Sequence, residues 1–217
     1  MVSMVLRWTL PRSRRGPSNG SDAPMNLVLA SGSPRRSRLL RDSGFDLVVR
    51  EPDVEETHHG HPPEFVVMNA RSKALSVRAE GGDIVIGADT VVICGGEVLG
   101  KPKDREDARR MVELQLLHPQ EVITGICIID TSGGKEYTGY EVSTVVMDGG
   151  EDAVEKHINS GQWEGKAGAY GIQDRGPLKA RVLAGSEDNV VGLPMALVRR
   201  LLSLVGFEYP KRTPSEG

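Results

Sequence analysis

Several short stretches of this chain hold residues of the types and spacing that phosphate chemistry requires. In Ser31-Gly32-Ser33-Pro34-Arg35-Arg36, which follows the apolar Leu27-Val28-Leu29-Ala30, a strand ends in a Ser-rich turn and a helix opens. Ser33 suits the N-cap and Pro34 the first helical position, where its missing N–H costs nothing. Two arginines in that first turn break a rule, because free N–H groups and the macrodipole make that end positive and favour acids. An anion resolves the conflict. A helix N-terminus beside two guanidinium forks suits a polyphosphate, with a solvated basic turn as the plainer alternative.

Lys73 falls on one helical stripe with Val66, Ala70 and Val77. A lysine on an apolar stripe either snorkels to solvent or points into a cleft, and a nearby anion-binding element favours the cleft. Asp89 interrupts two apolar runs, Ile84-Val85-Ile86 and Val91-Val92-Ile93, after the small residues Gly87 and Ala88. A carboxylate so flanked is paired, holds a metal or activates water. Thr90 adds a hydroxyl at the same level. Gly100-Lys101-Pro102 offers a further cation, weak when taken alone. Asp53, Glu55 and Glu56 suit a hard cation such as Mg²⁺, which is bound through carboxylates and substrate phosphates together. The adjoining His58-His59-x-His61 lacks the partner spacing of a metal site. Gly168-Ala169-Tyr170-Gly171-Ile172-Gln173 has a backbone small enough for a ligand to approach, and the Gln173 amide can read a base edge.

Elements of alternating period must position these residues. Strands are expected at 26–30, 45–50, 83–93, 122–130 and 141–147, and helices at 34–43, 62–79, 104–117, 151–160 and 193–204. Interleaved strands and helices mean an α/β fold. Glycine pairs at 81–82, 95–96, 133–134 and 149–150 punctuate it. Neither a Walker loop nor G-x-G-x-x-G occurs, so the two commonest phosphate cradles are missing.

The 217 residues suffice for one substantial core or two small lobes around a cleft. With 38% hydrophobic and 26% charged residues, and no apolar run near the ~18 residues of a membrane span, the composition is that of a soluble protein. The net charge of −3 conceals an asymmetry: residues 1–24 carry Arg7, Arg12, Arg14 and Arg15 against Asp22 alone, so the rest is acidic. An acidic body argues against nucleic acid as a partner. Cys94 and Cys127 sit in apolar β-like runs and read as buried free thiols of a cytoplasmic protein. Residues 1–24 show no regular period and read as a disordered extension, with a targeting arm or a start at Met25 as the other readings. Residues 25–208 form the expected domain and 209–217 a tail.

Together these residues resemble the Maf family. Ser31-Gly32-Ser33-Pro34-Arg35-Arg36, Glu56, Lys73, Gly87-Ala88-Asp89-Thr90, Gly100-Lys101-Pro102, residues 166–173 and Val191-Gly192-Leu193-Pro194 stand in that family's order and spacing, over about residues 26 to 205. The resemblance implies a mixed, twisted sheet with flanking helices and two lobes around a central groove, as in the inosine triphosphatases. A homodimer is consistent with it. It also implies cleavage of the α–β phosphoanhydride bond of nucleoside triphosphates with Mg²⁺ or Mn²⁺. Asp89 would then be the catalytic base and Glu56 the second carboxylate for metal or water. Ser31, Ser33, Arg36, Lys73 and Lys101 would hold the triphosphate. Arg35, Thr90 and Gln173 match the dTTP/UTP branch, whereas the branch acting on 7-methyl-GTP has Tyr, Gln and Glu there.

The chain departs from the family pattern at Gly165, where an Asp is usual, and at Gln115-Leu116-Leu117, where Leu-Ser-Gly is usual. Asp174 replaces a common Gly, and the aromatic frequent before Val-Val-Gly-Leu-Pro is missing from 186–189. Two readings outside this one are a nucleotide-binding regulator of division or septum formation that needs no turnover, and the same chemistry with another base preference.

Overall fold

The apolar run that Asp89 interrupts becomes β4 (Ile84–Cys94), the spine of a mixed eight-stranded sheet. The computed structural model describes residues 3–9, 26–77, 79 and 81–207. The expected extension at 1–24, apart from 3–9, and the expected tail at 209–217 lie outside them. Along one edge β4 pairs over its full length with β6 (Gln120–Asp130), antiparallel. The other edge is divided. Residues Ile84–Gly87 take β2 (Leu27–Ala30) in parallel, with β3 (Val48–Arg50) beyond it. Val92–Cys94 take β5 (Glu97–Leu99), which returns antiparallel through Gly95-Gly96. Among the described residues no strand therefore covers the edge of 88–91. The outer edge of β7 (Lys135–Asp148) is shared in the same way, between β1 (Ser3–Thr9) and β8 (Lys179–Ala184).

Each half of the sheet has its own apolar core. On the β2 side, Leu27, Leu29, Ile84 and Ile86 pack against Leu40 of α1 (Pro34–Asp42) and Val198, Leu201 and Leu202 of α6 (Met195–Leu204). On the β5 side, Val92, Leu99 and Val122 pack against Met111 and Val112 of α3 (Arg105–Leu117) and Val154 and Ile158 of α4 (Glu151–Asn159). These are the two lobes.

Helix α2 (Pro62–Ser76) closes the opposite face at the centre. It lies on the strands at the two glycines they offer: a Cβ on Gly87 would come 2.0 Å from the Ala70 carbonyl oxygen, and one on Gly125 2.5 Å from the Val66 carbonyl. No side chain larger than hydrogen fits there, and this close approach lets α2 reach Asp89.

The structure corrects several expected boundaries. Residues Ser3–Thr9 form a strand although their sequence shows no period. The third strand begins only at Val48, because the Phe45 N–H bonds back to the Leu40 carbonyl and closes α1. Helix α2 stops at Ser76, where Val77 turns extended. Strand β7 starts at Lys135, ahead of its apolar stretch, because its buried positions Glu136 and Thr138 are polar. Helix α6 starts at Met195, after Gly192 in the left-handed region ends α5 (Glu187–Val191) and Pro194 resists helical entry. Neither β8 nor α5 is evident in the sequence. Cys94 and Cys127 are buried free thiols, and burial raises the pKa of both.

Candidate functional site

The uncovered edge of β4 opens into a groove of about 580 Å³ between the lobes. Its centre is a cluster of charge. Lys73 Nζ lies 2.6 Å from Asp89 Oδ1 and 2.7 Å from Glu56 Oε1, so one ammonium joins the two carboxylates. The lysine side chain is only 7% exposed, which decides between snorkelling and the cleft. Asp89 is fixed on its second oxygen by Asn69, whose Nδ2 donates at 2.9 Å to Oδ2. The same Asn69 accepts from the Thr57 N–H at 3.0 Å and donates to the Thr57 carbonyl at 2.9 Å, tying the Glu56 segment to α2. Burial works against ionising Glu56, but the hydrogen bond and charge of Lys73, with Lys101 and His58 nearby, hold its carboxyl below the ordinary range. Lys101 itself stands exposed on the groove wall.

The turn before α1 forms as its sequence suggests, with one difference. Ser33 occupies the N-cap but its side chain makes no cap bond; its N–H instead donates to Ser31 Oγ at 3.2 Å. A side chain that does not cap remains available to the groove. Arg36 turns inward. Its Nε donates to the Gly192 carbonyl (2.8 Å), Nη1 to Ser31 Oγ (3.2 Å) and the Ala88 carbonyl (3.0 Å), and Nη2 to Thr90 Oγ1 (2.8 Å). Ala88 lies on the uncovered edge, so a guanidinium stands where a strand would otherwise pair. Burial and Arg35 lower the Arg36 pKa, against the pull of Asp89 and Glu56.

The three expected specificity residues, Arg35, Thr90 and Gln173, all line the groove. Arg35 Nη1 would lie 3.3 Å from a Cβ on Gly171, so the glycine makes room for it. Thr90 lies deeper. It accepts from Arg36 and pairs with Thr124 Oγ1 at 3.0 Å, and Thr124 in turn donates to the Asn189 carbonyl at 3.0 Å. With one proton per hydroxyl, the chain runs in one direction, Arg36 to Thr90 to Thr124 to Asn189.

Nothing in the local sequence marks the residues that hold the Gln173 loop. Gln115, at a departure from the family pattern, donates to the Gly168 carbonyl at 2.5 Å. His157 Nε2 lies 2.9 Å from the Ala169 carbonyl, steadying a residue with φ of 61°. Lys166 pairs with Asp174, which also accepts from the Gly171 N–H at 2.9 Å. Asp174 therefore closes the loop that carries Gln173.

Among the described residues no three His, Cys, Asp or Glu side chains gather into a metal-holding group. His58 lines the groove and meets Phe65 edge-on at 5.6 Å, while His59 and His61 are exposed. Two carboxylates sharing one ammonium still fit Mg²⁺ or Mn²⁺, since such ions take one or two protein carboxylates and complete their shell with substrate phosphates and water. Among the described residues no helix is long and apolar enough to cross a membrane.

A split mixed sheet with a groove of paired carboxylates and cations is the frame of a protein that binds a polyanion. Comparison with known proteins gives the family: residues 26–205 match the model for Maf-like protein, and the chain belongs to that family. It is 42% identical over 196 residues to a dTTP/UTP pyrophosphatase of Anaeromyxobacter dehalogenans, covering 87% of this chain and 98% of the relative. Identity is 39% over 186 residues to a protein of the same name from Dictyoglomus thermophilum, covering 83% and 96%. For another from Pyrococcus furiosus it is 38% over 182 residues, covering 82% and 94%. A solved nucleoside-triphosphatase / dITP/XTP pyrophosphatase from Mycobacterium abscessus matches 56% of this chain and 74% of its own, at 15% identity and a TM-score of 0.34. That likeness is too distant to bear on the fold or the substrate.

Proposed function

We propose that this protein is a nucleoside triphosphate pyrophosphatase that hydrolyses dTTP and UTP to the monophosphate and pyrophosphate, acting on the cytoplasmic nucleotide pool. The observation that carries the reading is the buried Lys73 holding Asp89 and Glu56 together at the floor of the groove. Membership of the Maf family and the names of relatives at 38–42% identity support the substrate class.

In this reading Asp89, fixed by Asn69, takes the proton of the attacking water. The water oxygen bonds to the α-phosphorus, the bridging α–β P–O bond breaks, and pyrophosphate leaves with that electron pair. Glu56 and Asp89 would hold Mg²⁺ or Mn²⁺, which supplies charge neutralisation to the triphosphate. Lys73 and Lys101 meet the negative charge that grows on the leaving pyrophosphate, which is where electrostatic groups act most strongly. Ser31 accepts from Ser33 N–H and Arg36, so its own proton serves a phosphate oxygen. Ser33, free of its cap bond, does the same. Arg36 has four of its five N–H groups on protein oxygens and acts chiefly by setting Ser31 and Thr90. Arg35 and Gln173 contact the base side, whereas Thr90 acts through Arg36.

The test incubates purified protein and Mg²⁺ with dTTP, UTP, CTP, the purine triphosphates and 7-methyl-GTP, and resolves the products. Monophosphate and pyrophosphate from dTTP and UTP support the reading. Diphosphate with orthophosphate, or selective turnover of 7-methyl-GTP, overturns it.

A further inference from the structure

Among the described residues three buried side-chain atoms lack a hydrogen-bond partner: Gln120 Nε2, Glu136 Oε2 and Asn189 Oδ1. Of these residues only Gln120 lines the groove. It opens β6 and is 4% exposed. Side chains alternate along a strand, so Gln120, Val122 and Thr124 share one face. Thr124 marks the level of Thr90, which it faces across the strands, and Gln120 lies four residues further into the groove, about 13 Å along the strand. Its strand neighbours are Cys94 on one side and Val145 on the other. Val92, Val122, Val145 and Val190 give the groove an apolar lining here, Val145 at the level of Gln120 itself. The groove thus runs from a charged centre at Asp89 and Thr90 to an apolar stretch of wall at Gln120, whose buried Nε2 has no partner.

A buried amide N–H without an acceptor is unfavourable, and a site that keeps one discriminates strongly in favour of the ligand that completes it. We propose that Gln120 is a specificity-determining residue, donating from Nε2 to a ring carbonyl of the base. The ligand class is a pyrimidine nucleotide that presents a carbonyl where cytosine presents an amino group. This rests on the nucleotide reading above and assigns the inner end of the same groove. The ring lies between the valines, and the donor distinguishes thymine or uracil from cytosine, which is nearly the same size.

Binding of the products dTMP and dCMP, measured by titration calorimetry, tests the contact without requiring turnover. The wild-type protein is expected to bind dTMP more tightly. Gln120→Met keeps the length of the side chain and removes the donor. It is expected to weaken dTMP binding about tenfold while changing dCMP far less. Gln120→Glu, of the same shape with an acceptor in place of the donor, is expected to move the preference toward dCMP. An unchanged dTMP:dCMP ratio in folded variants overturns the proposal. So does a wild-type protein that binds the two equally or binds neither. Pyrophosphate release by the wild type separates this from the reaction itself. Base-selective binding without release defeats the reaction and leaves Gln120 assigned; release from dTTP with an unmoved ratio does the reverse.

Discussion

The two ends of the groove are built on opposite terms. At the charged end, Lys73, Asp89, Asn69 and Glu56 are held by hydrogen bonds and ion pairs of 2.6 to 3.0 Å, and the carboxylates face a cation. At the inner end valines line the wall and the buried Gln120 Nε2 has no partner. Chemistry needs groups fixed in advance, because a dipole that must reorient during the reaction stabilises less. Selection needs an interaction left open, so that only the correct ligand completes it. One strand serves both: β4 carries Asp89 on its uncovered stretch and Val92 where its pairing with β5 begins.

Lys73→Met gives the largest effect that separates the two ends. It leaves two carboxylates without their cation, so turnover should fall about 10²–10³-fold. Urea melts should show a loss of roughly 3 kcal/mol, because breaking a buried pair strands a charge. The dTMP:dCMP binding ratio should stay where it was; a ratio that moves with Lys73 would join the two ends into one unit.

Asn69→Leu acts at the same end through Asp89. It removes the bond to Oδ2 and both bonds to the Thr57 backbone, so kcat should fall at least about tenfold. Stopped-flow measurement of pyrophosphate release checks this, and an unchanged kcat would show that Asp89 needs no orientation. Thr124→Val breaks the directed chain that runs from Arg36 through Thr90 to the Asn189 carbonyl and should cost about 1 kcal/mol in thermal melts, with less effect on rate.

Glu56→Gln sharpens the comparison through pH. The folded Glu56 carboxyl lies below its ordinary 4.5, so its pairing stabilises the fold above that pH and is lost as pH falls through the lowered value. The variant should therefore be less stable than wild type at neutral pH, by under about 1 kcal/mol for a partly exposed pair, and the gap should close in acid. Denaturant melts at pH 7 and pH 3 read it. A gap that widens in acid contradicts the direction.

What was legible in the sequence follows the same division. The basic turn at 31–36 and the carboxylate inside an apolar run both violate local rules, and violations of that kind are visible from neighbours alone. The strand run of β4 and the helix stripe carrying Lys73 have clear periods. Asn69 was not visible, because its role depends on Gly87 and Gly125 letting α2 lie against the sheet, a contact between distant parts of the chain. Gln115 and Gln120 look like ordinary polar residues near a helix end, and only the fold turns them inward. The place of Arg36 in the turn suggests a phosphate ligand. Its bonds to Ala88 and Gly192 follow from the divided edge of β4, which no local pattern announces. Strand β8 is exposed at most of its residues, and its alternation, Lys179-Ala180-Arg181-Val182, is too short to stand out.

The most direct test of the account is the rate of pyrophosphate release from dTTP in Mg²⁺ by Asp89→Asn, beside its affinity for dTMP. The account predicts a fall of about 10²–10³-fold in rate with dTMP binding and the dTMP:dCMP ratio retained. A variant that releases pyrophosphate at the wild-type rate would contradict the placement of the chemistry at Asp89.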